Sequence, residues 1–158
     1  MAESRYNYLR AILYPEDITE VGGGVMEMHC LHVKDYKYRC YRNRDEVGNP
    51  YGHVLSDYLE FSVKIVKADA CHVFYKRLEE RTNSPFSFIF NASFNERGRL
   101  KNFDDGMITN GYVVDIEESC ANDDDSGEEQ LMLHVKLLLS NINYLGMEDV
   151  HTLTITND

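Results

Sequence analysis

Apolar residues recur at every second position in several separate stretches of this chain, and that period is the strongest constraint on its fold. Leu59, Phe61, Val63 and Ile65 alternate with Glu60, Ser62 and Lys64. Phe86, Phe88 and Phe90 form an aromatic face, and Leu131, Leu133, Val135, Leu137 and Leu139 make the longest alternating run. Tyr36, Tyr38 and Cys40 alternate with Lys37, Arg39 and Tyr41, while Tyr112, Val114 and Ile116 alternate with Val113, Asp115 and Glu117. Side chains in a strand point alternately to opposite faces, so each run can bury one face and leave the other wet. Further strands are expected at Ala11–Tyr14, Val25–Val33, Leu100–Phe103 and Val150–Ile155. Helical spacing appears once, where Ala70, Val73, Phe74 and Leu78 form a stripe with Cys71 nearby. Asp69 is placed to cap that helix and Thr82-Asn83-Ser84-Pro85 to end it, with Lys76, Arg77, Glu79, Glu80 and Arg81 outward or in the tail. About eight to ten strands and one helix imply a mainly β fold, an antiparallel β-sandwich or barrel carrying one α-helix.

Punctuation between the runs sets the organisation. Lys34-Asp35 is a polar break of hairpin length, and Arg42 to Pro50 breaks the pattern again with charge, Gly and Pro. Asn95–Arg99 and Asp104-Asp105-Gly106 read as turns, and Asn141–Glu148 as loop. Gly22-Gly23-Gly24 reads as a hinge rather than a phosphate-cradling loop, which needs spaced glycines followed by Lys and Ser or Thr. The expected division is an N-terminal extension over 1–24 and a single β-barrel domain over 25–158. A chain of 158 residues is long enough to bury one such core.

The formal net charge of -11 argues against nucleic acid or an anionic membrane surface as the main partner. Glu117 to Glu129 alone holds seven acidic residues and no basic one, and reads as a solvated loop between strands. The oxygen-rich Asp123 to Glu129 invites a calcium reading, but lacks the alternating ligand order of an EF-hand loop. Cys30, Cys40, Cys71 and Cys120 have no paired spacing, which suits reduced thiols rather than a metal or disulfide framework. The first ten residues hold no apolar core of signal-peptide length, and no apolar run is long enough to cross a membrane. Synthesis in the cytoplasm is the expectation, with any export proceeding without a cleaved signal.

No arrangement in the sequence converges on catalysis, a cofactor or a metal. His29 and His32 would point to opposite faces of a strand, and Cys71 and His72 diverge on a helix. His53, His134 and His151 stand apart from one another. The tyrosines and Phe86, Phe88 and Phe90 suit a packed sheet face, since nucleobase stacking would need a basic surface as well. One alternative function is a monomeric β-barrel that binds a small apolar ligand against the Phe86/Phe88/Phe90 face. The charged turn with Arg42, Arg44, Asp45, Gly48 and Pro50 is a candidate subunit-contact loop, a salt-bridged turn or a solvated one.

Strand, Asp-x-x-Gly-x-Pro turn, amphipathic strand, helix and then paired strands flanking an acidic loop form an order with a relative. Tyr38 to Pro50, Leu59 to Val63, the helix Asp69 to Glu80, and Tyr112 to Glu118 carry the match. In these stretches the chain resembles the Hcp/TssD tube protein of type VI secretion systems, particularly its Bacteroidetes branch, over Met26 to Ile155. Asn49 stands where that family often has arginine, and the helix lacks a tryptophan common there. The resemblance implies a β-barrel-like sandwich with one helix, similar to phage tail-tube proteins, and no catalysis. It further implies a homohexameric ring that stacks into a hollow tube and binds effectors in the lumen. Its partners would be sheath, baseplate, spike and effector proteins, and contraction would expel the tube from the cytoplasm.

Overall fold

The computed structural model describes residues 11–21, 24–65, 68–122, 129–145 and 150–154. The strands are β1 (Ala11–Tyr14), β2 (Leu31–Lys37), β3 (Cys40–Arg44), β4 (Pro50–Ser56), β5 (Leu59–Lys64), β6 (Ser84–Phe90), β7 (Ser93–Phe94), β8 (Leu100–Asn102), β9 (Asp105–Asn122), β10 (Glu129–Leu145) and β11 (Val150–Thr154). Two helices, α1 (Ile18–Val21) and α2 (Ala68–Glu80), accompany them. β10, β5, β2, β1, β6 and β9 follow one another in hydrogen-bonded order, all antiparallel, and β9 pairs back onto β10. The six strands therefore close a barrel, which is the architecture the alternating runs call for. β11 continues along the same edge of β10 that β5 uses, pairing with Asn141–Leu145 where β5 pairs with Met132–Leu137.

Alternation places the core. Leu59, Phe61 and Val63 of β5, Phe86 and Phe88 of β6, and Leu133, Val135, Leu137 and Leu139 of β10 all face inward and are buried. α2 closes one end of the barrel by laying Phe74 flat on Phe86, with ring centroids 5.9 Å apart, while Phe61 meets Phe88 edge-on at 5.5 Å. A smaller cluster of Tyr14, Ile18, Val25, Ile89, Ile108 and Leu145 is separate from it. It includes Ile89 and Ile108, which alternate with the inward Phe88 and Met107, so it lies on the other side of the β1–β6–β9 wall. β1 is an inner strand between β2 and β6, so the segment read as an N-terminal extension contributes to both clusters. Gly22 and Gly23 of the expected hinge lie outside the described residues.

Several sequence expectations are corrected. Val25–Cys30 is not strand: Met26 makes one bridge to Arg99, and Glu27–His29 then turns as a 3-10 helix. The backbone contacts on either side of that bridge, Glu27 N–H to the Gly98 carbonyl and Leu100 N–H to the Val25 carbonyl, end there, and no ladder propagates. Lys34-Asp35 is no hairpin turn but lies inside β2, beside a bulge in its pairing with β5. The Tyr36–Cys40 strand is interrupted at Tyr38-Arg39, yet its face persists. Tyr36 packs on Phe88 and Phe90, and Tyr38 and Cys40 pack against the main core. β9 and β10 together absorb most of two expected loops. β9 runs on to Asn122 and β10 to Leu145, so Glu117–Asn122 and Asn141–Leu145 are paired strand. Asp123 to Glu128 lies outside the described residues. In β9 the expected Tyr112/Val114/Ile116 face is split by a bulge at Val114, so Val113 and Ile116 pack against the core while Tyr112 and Val114 are exposed. The helix begins at Ala68, which places Asp69 in its first turn rather than before it.

Arg77 is the one surprise in α2. Leu78, expected in the apolar stripe, is exposed, whereas Arg77 turns inward. Its guanidinium lies 4.5 Å over the Phe86 ring, donates to the Pro85 carbonyl at 3.0 Å and also to the Pro15 carbonyl. One cation thereby ties the helix to the residue that follows β1 and to the start of β6. Replacing Arg77 with Ala is expected to cost about 2 kcal/mol, since two partly buried carbonyls lose charged donors. Arg77→Lys should restore only part of it, because an ammonium cannot lie flat on a ring and fork to two acceptors. Urea denaturation of the three proteins checks this, and an Arg77→Ala midpoint equal to the parent's would refute it.

Candidate assembly surface

β3 and β4 form a two-stranded ribbon that belongs to no larger sheet. The ribbon continues from β2 and β5, and its base is fixed where Asp57 N–H donates to the Arg39 carbonyl at 2.9 Å and Arg39 Nε pairs with the Asp57 carboxylate at 2.9 Å. What read as one charged turn from Arg42 to Pro50 is therefore the end of β3, a tight tip from Asp45 to Asn49 and the first residue of β4. Val47 at that tip is 82% exposed and Tyr51 on β4 is 54% exposed.

The five candidate contact residues divide by role. Arg42 sits in a bulge opposite Gly52 and donates to the Gly52 carbonyl from Nε at 3.1 Å and Nη2 at 2.7 Å. Gly52 has a φ of 78°, a left-handed conformation that a side chain would strain, so Arg42 and Gly52 together shape the bend. Asp45 Oδ1 accepts from Val47 N–H at 3.0 Å and Asn49 N–H at 2.8 Å, which builds the tip around one carboxylate. Gly48 completes the turn with a φ of 90° and donates to the Asp45 carbonyl. Pro50 opens β4, pairing with Arg44 at an edge where its missing N–H costs little. Arg44 is exposed, and among the described residues no hydrogen bond or ion pair uses its guanidinium.

A second surface was not legible in the sequence. The outer faces of β2, β5, β10 and β9 line a polar cleft of about 550 Å3. Glu60 stands between Lys37 and Lys136, with a nitrogen of each 3.2 Å from one of its carboxylate oxygens. One step along the strands, His134 Nδ1 is 2.6 Å from Ser62 Oγ and Nε2 is 3.0 Å from Ser119 Oγ. His134, which stands alone in the sequence, is thus bracketed by two hydroxyls from neighbouring strands. A neutral imidazole accepts at one nitrogen and donates at the other, so this trio stitches three strands together. The cross-strand register Glu60–Lys136 and Ser62–His134 is the signal that could have revealed both rows, but it requires knowing that β5 pairs with β10.

The remaining expected residues stay apart. Cys71 is buried and His72 exposed, so the two diverge as the helical spacing implies. His29 lies on the 3-10 turn and His32 on β2, and all four cysteines are free. Burial pushes the Cys30 thiol up to about 11, with Glu27 adding to the effect, and also raises Cys71 and Cys40. Phe86 and Phe88 are consumed by core packing, so neither can line an apolar ligand cavity. No helix among the described residues is long and apolar enough to cross a membrane.

A closed antiparallel barrel, plugged at one end by a single helix and extended by a projecting ribbon, defines the architecture. No family model and no curated protein matches the chain at the level of sequence. Solved structures do match. An Hcp protein superposes with a TM-score of 0.67 at 12% identity, over 95% of this chain and 99% of its own. Hcp1 from E. coli EAEC 042 gives 0.64 at 15% identity, covering 92% and 98%. Hcp1 from Flavobacterium johnsoniae gives 0.57 at 12% identity, also covering 92% and 98%. This chain has the Hcp fold, in agreement with the resemblance carried by its sequence.

The charged row supplies a test of the register. The hydrogen bond from Lys37, then that from Lys136, holds the Glu60 carboxyl below the usual carboxylate range. A depressed native pKa stabilises the fold above the unfolded value, and that contribution is lost as pH falls through the native value. Both lysines are well exposed, so Glu60→Gln should cost at most about 1 kcal/mol at neutral pH. The difference from the parent should close in acid, as the pH falls through the parent's lowered carboxyl pKa and its carboxylate also protonates. A stability gap of equal size at both pH values would show that the ion pairs are not its source.

Proposed function

We propose that this chain is a structural subunit of the inner tube of a type VI secretion system. In this reading six copies form a ring, rings stack, and effectors travel in the lumen. The observation that carries it is the β3–β4 ribbon, which extends from a closed barrel of the Hcp fold with both of its edges unpaired by any described strand. A lone two-stranded ribbon is marginal in water, and one that exposes Val47 and Tyr51 gains stability by docking on another surface. Head-to-tail docking of an arm on a neighbouring copy is a heterologous contact, the kind that closes into a ring. Within the arm, Arg44 is the contact residue, while Arg42, Asp45, Gly48 and Pro50 set the arm's shape. The role is structural and not catalytic. The partners are other copies of the chain, sheath, baseplate and spike components, and effectors. The protein waits in the cytoplasm and leaves by contraction.

Size-exclusion chromatography with light scattering tests the reading. The expected particle has a mass near six times the 18.3 kDa subunit. Arg44→Glu should shift it to smaller species at an unchanged melting temperature, whereas Asp45→Lys should also disturb the tip itself. A strict monomer at high concentration would contradict ring assembly, and a hexamer indifferent to Arg44→Glu would remove the arm from the interface.

A further inference from the structure

The row Phe86–Phe88–Phe90 runs from the end plugged by α2 toward the other mouth of the barrel. There a cavity of about 260 Å3 is lined by Tyr36, Tyr38, Phe90, Asp105, Met107 and Tyr144. Tyr36 stands 5.8 Å from Phe90, centroid to centroid, with the rings tilted by 44°. Tyr38 and Tyr144 fix one another, their hydroxyl oxygens 2.5 Å apart. The floor is equally constrained, because a Cβ on Gly106 would come within 3.3 Å of both the Phe88 carbonyl oxygen and the Phe103 ring. Asp105 is the register partner of Phe90 and lies exposed at the rim. It takes part in no ion pair among the described residues. Aromatic faces attract cations through their ring quadrupoles, and a carboxylate at the rim adds a full negative charge.

We propose that this mouth is a binding site for a guanidinium or alkylammonium group, seated against the rings of Tyr36, Phe90 and Tyr144 with its charge toward Asp105. The cavity falls below the roughly 300–1,000 Å3 of sites for drug-sized ligands, which selects a single side-chain head or a small amine. Burial raises the pKa of Tyr36 and Tyr38, so the phenols stay neutral and the wall carries no competing charge of its own. The site does not depend on ring assembly, although Arg44 of a second copy has the required chemistry.

Titration of the full chain with tetramethylammonium chloride, followed by the aromatic NMR signals at matched ionic strength, tests the site. Saturable shifts at Tyr36, Phe90 and Tyr144 are expected, and tert-butanol, a neutral group of similar size, should produce none. Asp105→Asn should weaken binding by about fivefold, the order expected of one exposed charge contact. Asp105→Glu should retain binding, which separates loss of charge from disturbance of the fold. Equal binding of tert-butanol, no saturable shift, or an Asp105→Asn affinity equal to the parent's would overturn the proposal. Ring shifts that grow with protein concentration and vanish in Arg44→Ala would identify a second copy as the source of the cation. Amine binding without such shifts would support the site with a side chain from another protein as its occupant.

Discussion

The long pairing of β9 with β10 turns a row of strands into a barrel. It runs from Asn122–Glu129 to Gly106–Leu145, and its neighbours take their places along its two edges. β5 and β11 share the far edge of β10, β6 takes the lower part of β9, and α2 reaches the upper part of β9 through the Tyr75–Glu118 hydrogen bond. Two bulges bend the pair into the curve a barrel needs, one at Val114 and one at Ser140. Gly111 sits between them, where a Cβ would fall 2.8 Å from the Leu138 carbonyl oxygen. A side chain at that position would force the two strands apart.

Closure explains the division between scaffold and surface. A closed barrel satisfies its own strand edges, so interaction is left to what projects from it or opens at its mouth. The β3–β4 ribbon projects, and its residues are already specialised. Arg42 and Asp45 spend their hydrogen bonds on the bend and the tip, leaving Arg44 free to reach outward. The mouth is held by the Tyr38–Tyr144 hydroxyl contact and rimmed by Asp105. A rigid wall with a shaped arm is the arrangement a repeating assembly needs, because each copy must present the same geometry to the next.

Much of this was legible in the sequence where burial and period agree. The runs at Leu59, Phe86 and Leu133 became buried strand faces because each sets apolar side chains at every second position, although β6 buries Ile89 on its other face as well. Legibility failed where tertiary pairing overrode local chemistry. Asn141 to Leu145 looks polar enough for a loop, but the neighbouring β9 and β11 satisfy its backbone and bury Ile142 and Leu145. Val25 to Cys30 alternates like a strand, yet finds too short a partner. Arg77 looked like an outer residue, because sequence gives no sign that two proline carbonyls wait beneath it. The candidate site was half legible. The charged, glycine-containing turn was visible, but not that it is a ribbon in which Arg42 and Asp45 face inward on the arm's own backbone. His134 and Glu60 were invisible as members of rows, since cross-strand register is a property of the closed sheet.

On the proposed reading, closure of the barrel leaves the Cys40–Ser56 ribbon as the element that completes itself on another copy. Hydrogen–deuterium exchange measured at low and high protein concentration tests this most directly. The account predicts that ribbon amides exchange rapidly in dilute protein and become protected as concentration rises, while β5, β6 and β10 amides stay protected throughout. Ribbon amides that exchange at the same rate at every concentration would contradict it.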